Sequence, residues 1–170
     1  MRIRPYGVGL CLALVVGVLT GCSPGLAGGI SVTVDDAGRL VAVMEKCRGD
    51  IEYVSLSEIS EGSEAQGSER VRLGEWTIGK LKDGSHALNL ETGNPAWKAS
   101  SPWQPLKPGT SYVVGAWDEN QSWTLGTLTF KVADLAKVKP GEVLSVDFVD
   151  GKTVTLAEPL EKFKKAACGG

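Results

Sequence analysis

From Ile30 onward, apolar side chains recur at every second position rather than every third or fourth, in short runs punctuated by Gly, Asp, Asn and Pro. A period of two puts alternate residues on one face of a strand, so the pattern predicts β-structure with one buried face per strand. Seven runs fit: Ile30 to Val34, Leu40 to Cys47, Ile51 to Ser57, Val71 to Ile78, His86 to Leu90, Ser111 to Trp117 and Trp123 to Val132. Asp35-Asp36-Ala37-Gly38 and Gly49-Asp50 supply the first turns. Gly74 breaks the alternation so that Val71, Leu73, Trp76 and Ile78 would all face inward, which predicts a bulge. Ser60 to Arg70 has no apolar anchor and reads as an exposed loop.

Beyond the seventh run, Val143 to Val149 and Lys152 to Leu156 flank Asp150-Gly151, a hairpin signal. Pro159 then opens a short helix to about Ala167, with Leu160 and Phe163 three apart on one face. The N-terminus follows a different rule. Gly7 to Leu19 is apolar throughout and follows Arg2 and Arg4. About 13 residues span roughly 20 Å as a helix, short of the roughly 30 Å hydrocarbon core, so a cleaved export signal is expected rather than a permanent span.

That segment ends in Leu19-Thr20-Gly21-Cys22, which resembles the lipobox of bacterial lipoproteins. The resemblance implies cleavage before Cys22, lipid on its thiol, and an extracytoplasmic chain held at the cell membrane. Several acyl chains exceed the single chain that gives only marginal attachment. The expected organisation is a signal peptide over 1–21, a lipidated Cys22 and flexible tether over 22–29, a β-domain over 30–132, and an appended hairpin and helix over 133–170.

Cysteine usage and charge agree with that location. Cys11 leaves with the signal and Cys22 takes lipid, so Cys47 and Cys168 remain to pair in an oxidising compartment. The alternative is two free thiols. Loss of Arg2 and Arg4 from 18 basic and 20 acidic residues leaves a net charge near −4, which argues against nucleic acid as a partner.

One segment points to a fold family. Leu106-Lys107-Pro108-Gly109-Thr110-Ser111-Tyr112-Val113-Val114 resembles the corner between the fifth and sixth strands of fibronectin type III and related immunoglobulin-like domains. There a tyrosine hydroxyl bonds back to the chain just upstream. The resemblance implies an immunoglobulin-like, fibronectin type III-like β-sandwich with Leu106 and Tyr112 as structural corner residues. Tyr112, Val114 and Ala116 would face the core, with Val113, Gly115 and Trp117 outward. No Cys lies two residues after Tyr112, so the antibody-type disulfide is missing. The overall layout is similar to secreted and lipoprotein families of high-GC Gram-positive bacteria.

No residue pattern points to catalysis. His86 is the single histidine and lies in a strand run, and neither nucleotide-binding glycine pattern occurs. The acid pairs Asp35 with Asp36, Asp118 with Glu119, and Asp147 with Asp150 fall at turns, where Asp serves the backbone. No cofactor or metal is implied. Tryptophan is the anomaly, with five in the chain. If the hairpin turns over Asp118 to Ser122, Trp117 and Trp123 stand opposite one another on the outer face, near Asp118 and Asn120. Trp97 and Trp103 lie on the crossover leading to the same sheet. These rings either form a binding surface or are covered by the C-terminal hairpin and helix. The expectation is a non-enzymatic binding or structural module of the cell envelope. Its alternatives are a binder of carbohydrate or cell-wall polymer through the tryptophans, and an envelope hydrolase with a dispersed carboxylate pair.

Overall fold

A computed structural model describes residues 23–59, 70–149 and 152–169. Its strands are β1 (Gly25–Leu26), β2 (Gly28–Val34), β3 (Leu40–Lys46), β4 (Tyr53–Ile59), β5 (Arg70–Thr77), β6 (Gly84–Asn89), β7 (Lys98–Ala99), β8 (Ser111–Trp117), β9 (Trp123–Lys131), β10 (Glu142–Val149) and β11 (Lys152–Pro159). Two helices, α1 (Val132–Leu135) and α2 (Leu160–Ala167), complete the described elements. One sheet runs β1-β9-β8-β4-β5-β7, the second β2-β3-β6, and β10 pairs with β11 alone.

The two larger sheets share one core, as the period-two pattern requires. Val32, Ala42, Met44 and Leu88 from the three-stranded sheet meet Val54, Leu56, Val114, Ala116 and Leu128 from the six-stranded one, each 2% exposed or less. The bulge falls where Gly74 announces it, with the register slipping between Leu56 and Ser57. Leu73 and Trp76 point inward, and Val71 lies opposite Glu58 on the same side of the sheet, but at the exposed start of β5 it is half exposed.

The Tyr112 corner is formed. Its hydroxyl accepts the Lys107 N–H at 2.6 Å and donates to the Lys107 carbonyl at 3.3 Å, while its ring is fully buried against Phe130. Tyr112→Phe strips both backbone groups of their partner and should cost about 1–2 kcal/mol, read as a lowered urea midpoint. An unchanged midpoint would remove the corner from the list of stabilising contacts.

Three features depart from the sequence pattern. The run 23–29 is not a free tether from Gly25 on: β1 pairs parallel with β9, with Gly25 donating to Ser122 at 2.7 Å and Ala27 to Thr124 at 2.7 Å. The chain then crosses to the other sheet at Gly28. The seventh run of the sequence, now β9, stops at Lys131 rather than Val132, where the Asp134 carboxylate accepts the Lys131 N–H at 2.9 Å and starts α1. The C-terminal elements cover the back of the smaller sheet, not the tryptophans. Phe163 of α2, with Leu160 and Ala167, packs on Val41, Val43 and Val143. The Ser31 hydroxyl bonds the Leu144 carbonyl and Thr33 bonds that of Glu142 at 2.7 Å, fastening β10 to β2.

Cys47 and Cys168 are joined, with Cα atoms 5.6 Å apart and a separation of 121 positions along the chain. The bridge fixes the end of α2 to the end of β3. Residues 1–22, including the export signal and Cys22, lie outside the described residues, as do the 60–69 loop and the Asp150-Gly151 turn.

Candidate functional site

The tryptophans do not form one group, and the reason lies in backbone register. Gly115 pairs with Thr127 but Trp117 pairs with Thr124, so a bulge containing Gly126, at φ 79°, carries Trp123 away from Trp117. Trp123 instead lies against Gly25 and Gly49, where an added Cβ would come within 2.7 Å and 2.5 Å of its ring. These two glycines make the space that the indole fills. Trp97 is buried in the main core at 7% exposure, and Trp103 packs against that core. With Leu106, Pro105 and Leu135, Trp103 lines an open hollow of about 250 Å³ beside the β2–β3 turn, at the other end of the sandwich.

Asp118 and Asn120 also separate. Asp118 is buried at 6% and holds the turn together, its carboxylate accepting the Trp123 N–H at 2.9 Å and its own N–H donating to the Trp123 carbonyl at 3.2 Å. That is a backbone role. Asn120 sits exposed at the turn tip, beside Gln121 at φ 55°. His86 is half buried, with Nε2 2.8 Å from the Lys82 carbonyl, and meets no acid–nucleophile pair among the described residues.

What the fold does assemble is a face that includes Trp117 and residues the sequence did not single out. Alternation puts Tyr53, Ser55 and Ser57 of β4 on the outer side of the six-stranded sheet, opposite the inward Val54 and Leu56. Their neighbours there are Trp117, Gly115 and Val113 on β8, and Thr77, Glu75 and Arg72 on β5. Gly115 has no side chain, so the six-membered ring of Trp117 lies back over it, and a Cβ there would stand 2.2 Å from the ring. Tyr53 stacks beside it, centroids 5.9 Å apart and planes 27° from parallel. Both rings are half exposed.

Around the rings the face is polar. Glu75 pairs with the exposed guanidinium of Arg72, its carboxylate remaining partly accessible. Ser55 and Ser57 are nearly covered, at 9% and 8%, while Thr127 and Thr129 on β9 are open. Desolvation, reinforced by the Glu75 carboxylate, raises the Tyr53 hydroxyl above its usual pKa, so it stays a proton donor. The one sequence signal for this face was the i, i+2 pair Gly115-Trp117 beside an aromatic on another strand, and cross-strand register is not written in either segment alone. No protein-family model, curated protein or solved structure matches this chain.

Proposed function

We propose that the chain is a lipid-anchored, extracytoplasmic binding module of the cell envelope, working without catalysis and built on an immunoglobulin-like or fibronectin type III-like sandwich. The fold assignment is supported by three strands facing β9-β8-β4-β5 and by Tyr112 at the start of the strand after the crossover. The observation that carries a binding role is the stacked Tyr53–Trp117 pair, two half-exposed aromatic rings set in a polar sheet face. Large rings with one face to solvent are the side chains that anchor partners.

The anchor rests on the N-terminal sequence. Because Gly25 is already in a strand, lipid at Cys22 would leave only Ser23 and Pro24 between the modified residue and the sheet, at most about 11 Å. Cells fed a labelled fatty acid should yield a labelled chain beginning at Cys22, and Cys22→Ser should abolish the label. An unlabelled wild-type chain would overturn the anchor. The binding role has its own test. Purified Cys22→Ser protein, which carries no lipid, should sediment with washed envelope fragments from the source cells, and the same protein with Tyr53→Ala and Trp117→Ala added should stay in the supernatant. Cys22→Ser protein that remains in the supernatant, or a Tyr53→Ala, Trp117→Ala variant of it that still sediments, would sink the binding role of this face.

A further inference from the structure

We infer that the Tyr53–Trp117 face binds a saccharide, specifically a neutral, extended chain of β-linked pyranose units. This rests on the binding role proposed above and names the chemical class of its ligand. The first reason is ring placement. Trp117 lies along its strand over Gly115 instead of standing up from the sheet, so one face of the indole is used against the backbone and the other is left for a flat apolar partner. A β-linked pyranose offers such a partner, because its ring substituents are equatorial and its C–H bonds form a flat face.

The second reason is spacing. Tyr53 extends the surface sideways across the sheet, and the 5.9 Å between ring centroids is close to the length of one pyranose unit. The row continues through Thr77, the partner of Tyr53, to Lys98 on β7.

The third reason is charge. Arg72 and Glu75 place a donor and an acceptor side by side with no net charge between them, which suits hydroxyl groups that donate and accept at once. The Tyr53 hydroxyl adds a donor at the same edge. With its charges balanced, the pair offers an anionic glycan no net attraction, which favours the neutral class.

The experiment titrates the full-length protein with cellohexaose and with hexa-N-acetylchitohexaose, two pure neutral β-1,4 probes, following tryptophan fluorescence and, independently, heat of binding. A saturable signal with at least one probe is expected. Trp117→Ala should weaken that binding roughly tenfold or more at an unchanged thermal midpoint, and Tyr53→Ala should weaken it too, while Trp117→Phe recovers part of the loss. Asn120→Ala, on the turn tip outside the face, should bind as wild type. No saturable binding to either probe overturns the saccharide assignment, and so does binding that persists in Trp117→Ala. If envelope sedimentation survives and still depends on Tyr53 and Trp117 while both sugars are silent, the ligand is of another class and the binding role stands. If sedimentation itself is absent, the binding role has failed.

Discussion

Replacing Cys47 and Cys168 together by serine is expected to lower the unfolding free energy by about 2–5 kcal/mol. The upper end follows from the loop that the bridge closes. With the two cysteines 121 positions apart, the chain-entropy relation gives about 5 kcal/mol of constraint on the unfolded state. The lower end allows for residual contacts in the unfolded chain. The bridge has a local role as well. α2 is eight residues long, too short to persist alone, and its grip on the back of the smaller sheet comes mainly from Phe163, Leu160 and Ala167. Without the bridge at its last turn, α2 should detach before the sandwich unfolds. Amide exchange over 160–167 should accelerate at urea concentrations where β4 and β8 remain protected. A double variant with the wild-type urea midpoint and an equally protected α2 would show that the bridge constrains neither state.

The second large effect is expected at Gly28, where the chain leaves β9 and joins β3. Its φ is 157°, and an added Cβ would stand 1.9 Å from the Glu45 carbonyl oxygen, which belongs to the backbone of β3 and cannot rotate aside. The neighbouring Ala27 is fully buried, and its carbonyl accepts the N–H groups of both Cys47, at 2.8 Å, and Arg48, at 3.2 Å. Any shift that relieves the clash therefore disturbs those bonds. Gly28→Ala should cost about 3–5 kcal/mol, summing backbone strain and overpacking. Gly38 is the control. It too has positive φ, at 76°, but an added Cβ meets nothing within 4 Å, so Gly38→Ala should cost only about 1–2 kcal/mol. Equal urea midpoints for the two variants would refute the close crossing.

Much of the fold is legible in the sequence wherever one face of a strand is buried. Ser111 to Trp117 reads as a strand because Tyr112, Val114 and Ala116 alternate with smaller or amphipathic residues, and the observed element has the same ends. The bridge joins the two cysteines that remain if the N-terminal segment accounts for Cys11 and Cys22. Elements that depend on a distant partner were not legible. Gly25 and Leu26 sit among Ser, Pro and Gly and carry no strand preference, yet β9 offers an unpaired edge and they take it. The Trp123 position failed for a related reason. Alternation alone predicts that Trp117 and Trp123 share a face, and only the bulge at Gly126 and the vacancy made by Gly25 and Gly49 decide otherwise. The proposed binding face was half visible: Trp117 was in view, but Tyr53, Ser55, Arg72 and Glu75 join it only through register.

The early entry of the chain into the sheet also determines how the molecule would respond to mechanical load. A pull at Gly25 directed along the strand is borne in shear by the bonds to Ser122 and Thr124, which must break together rather than one after another. Should they give way, β1 to β3 can straighten, but the lengthening stops at Cys47. Against an opposing pull at the C-terminal end, tension then passes across the bridge to Cys168 and bypasses the 120 residues between the cysteines, which contain β4, β5, β8 and the whole Tyr53–Trp117 face. The 22 residues from Gly25 to Lys46 could extend to about 75 Å at most. A ligand held on that face would thus stay on an unstretched platform while the N-terminal strands act as a short, self-limiting shock absorber.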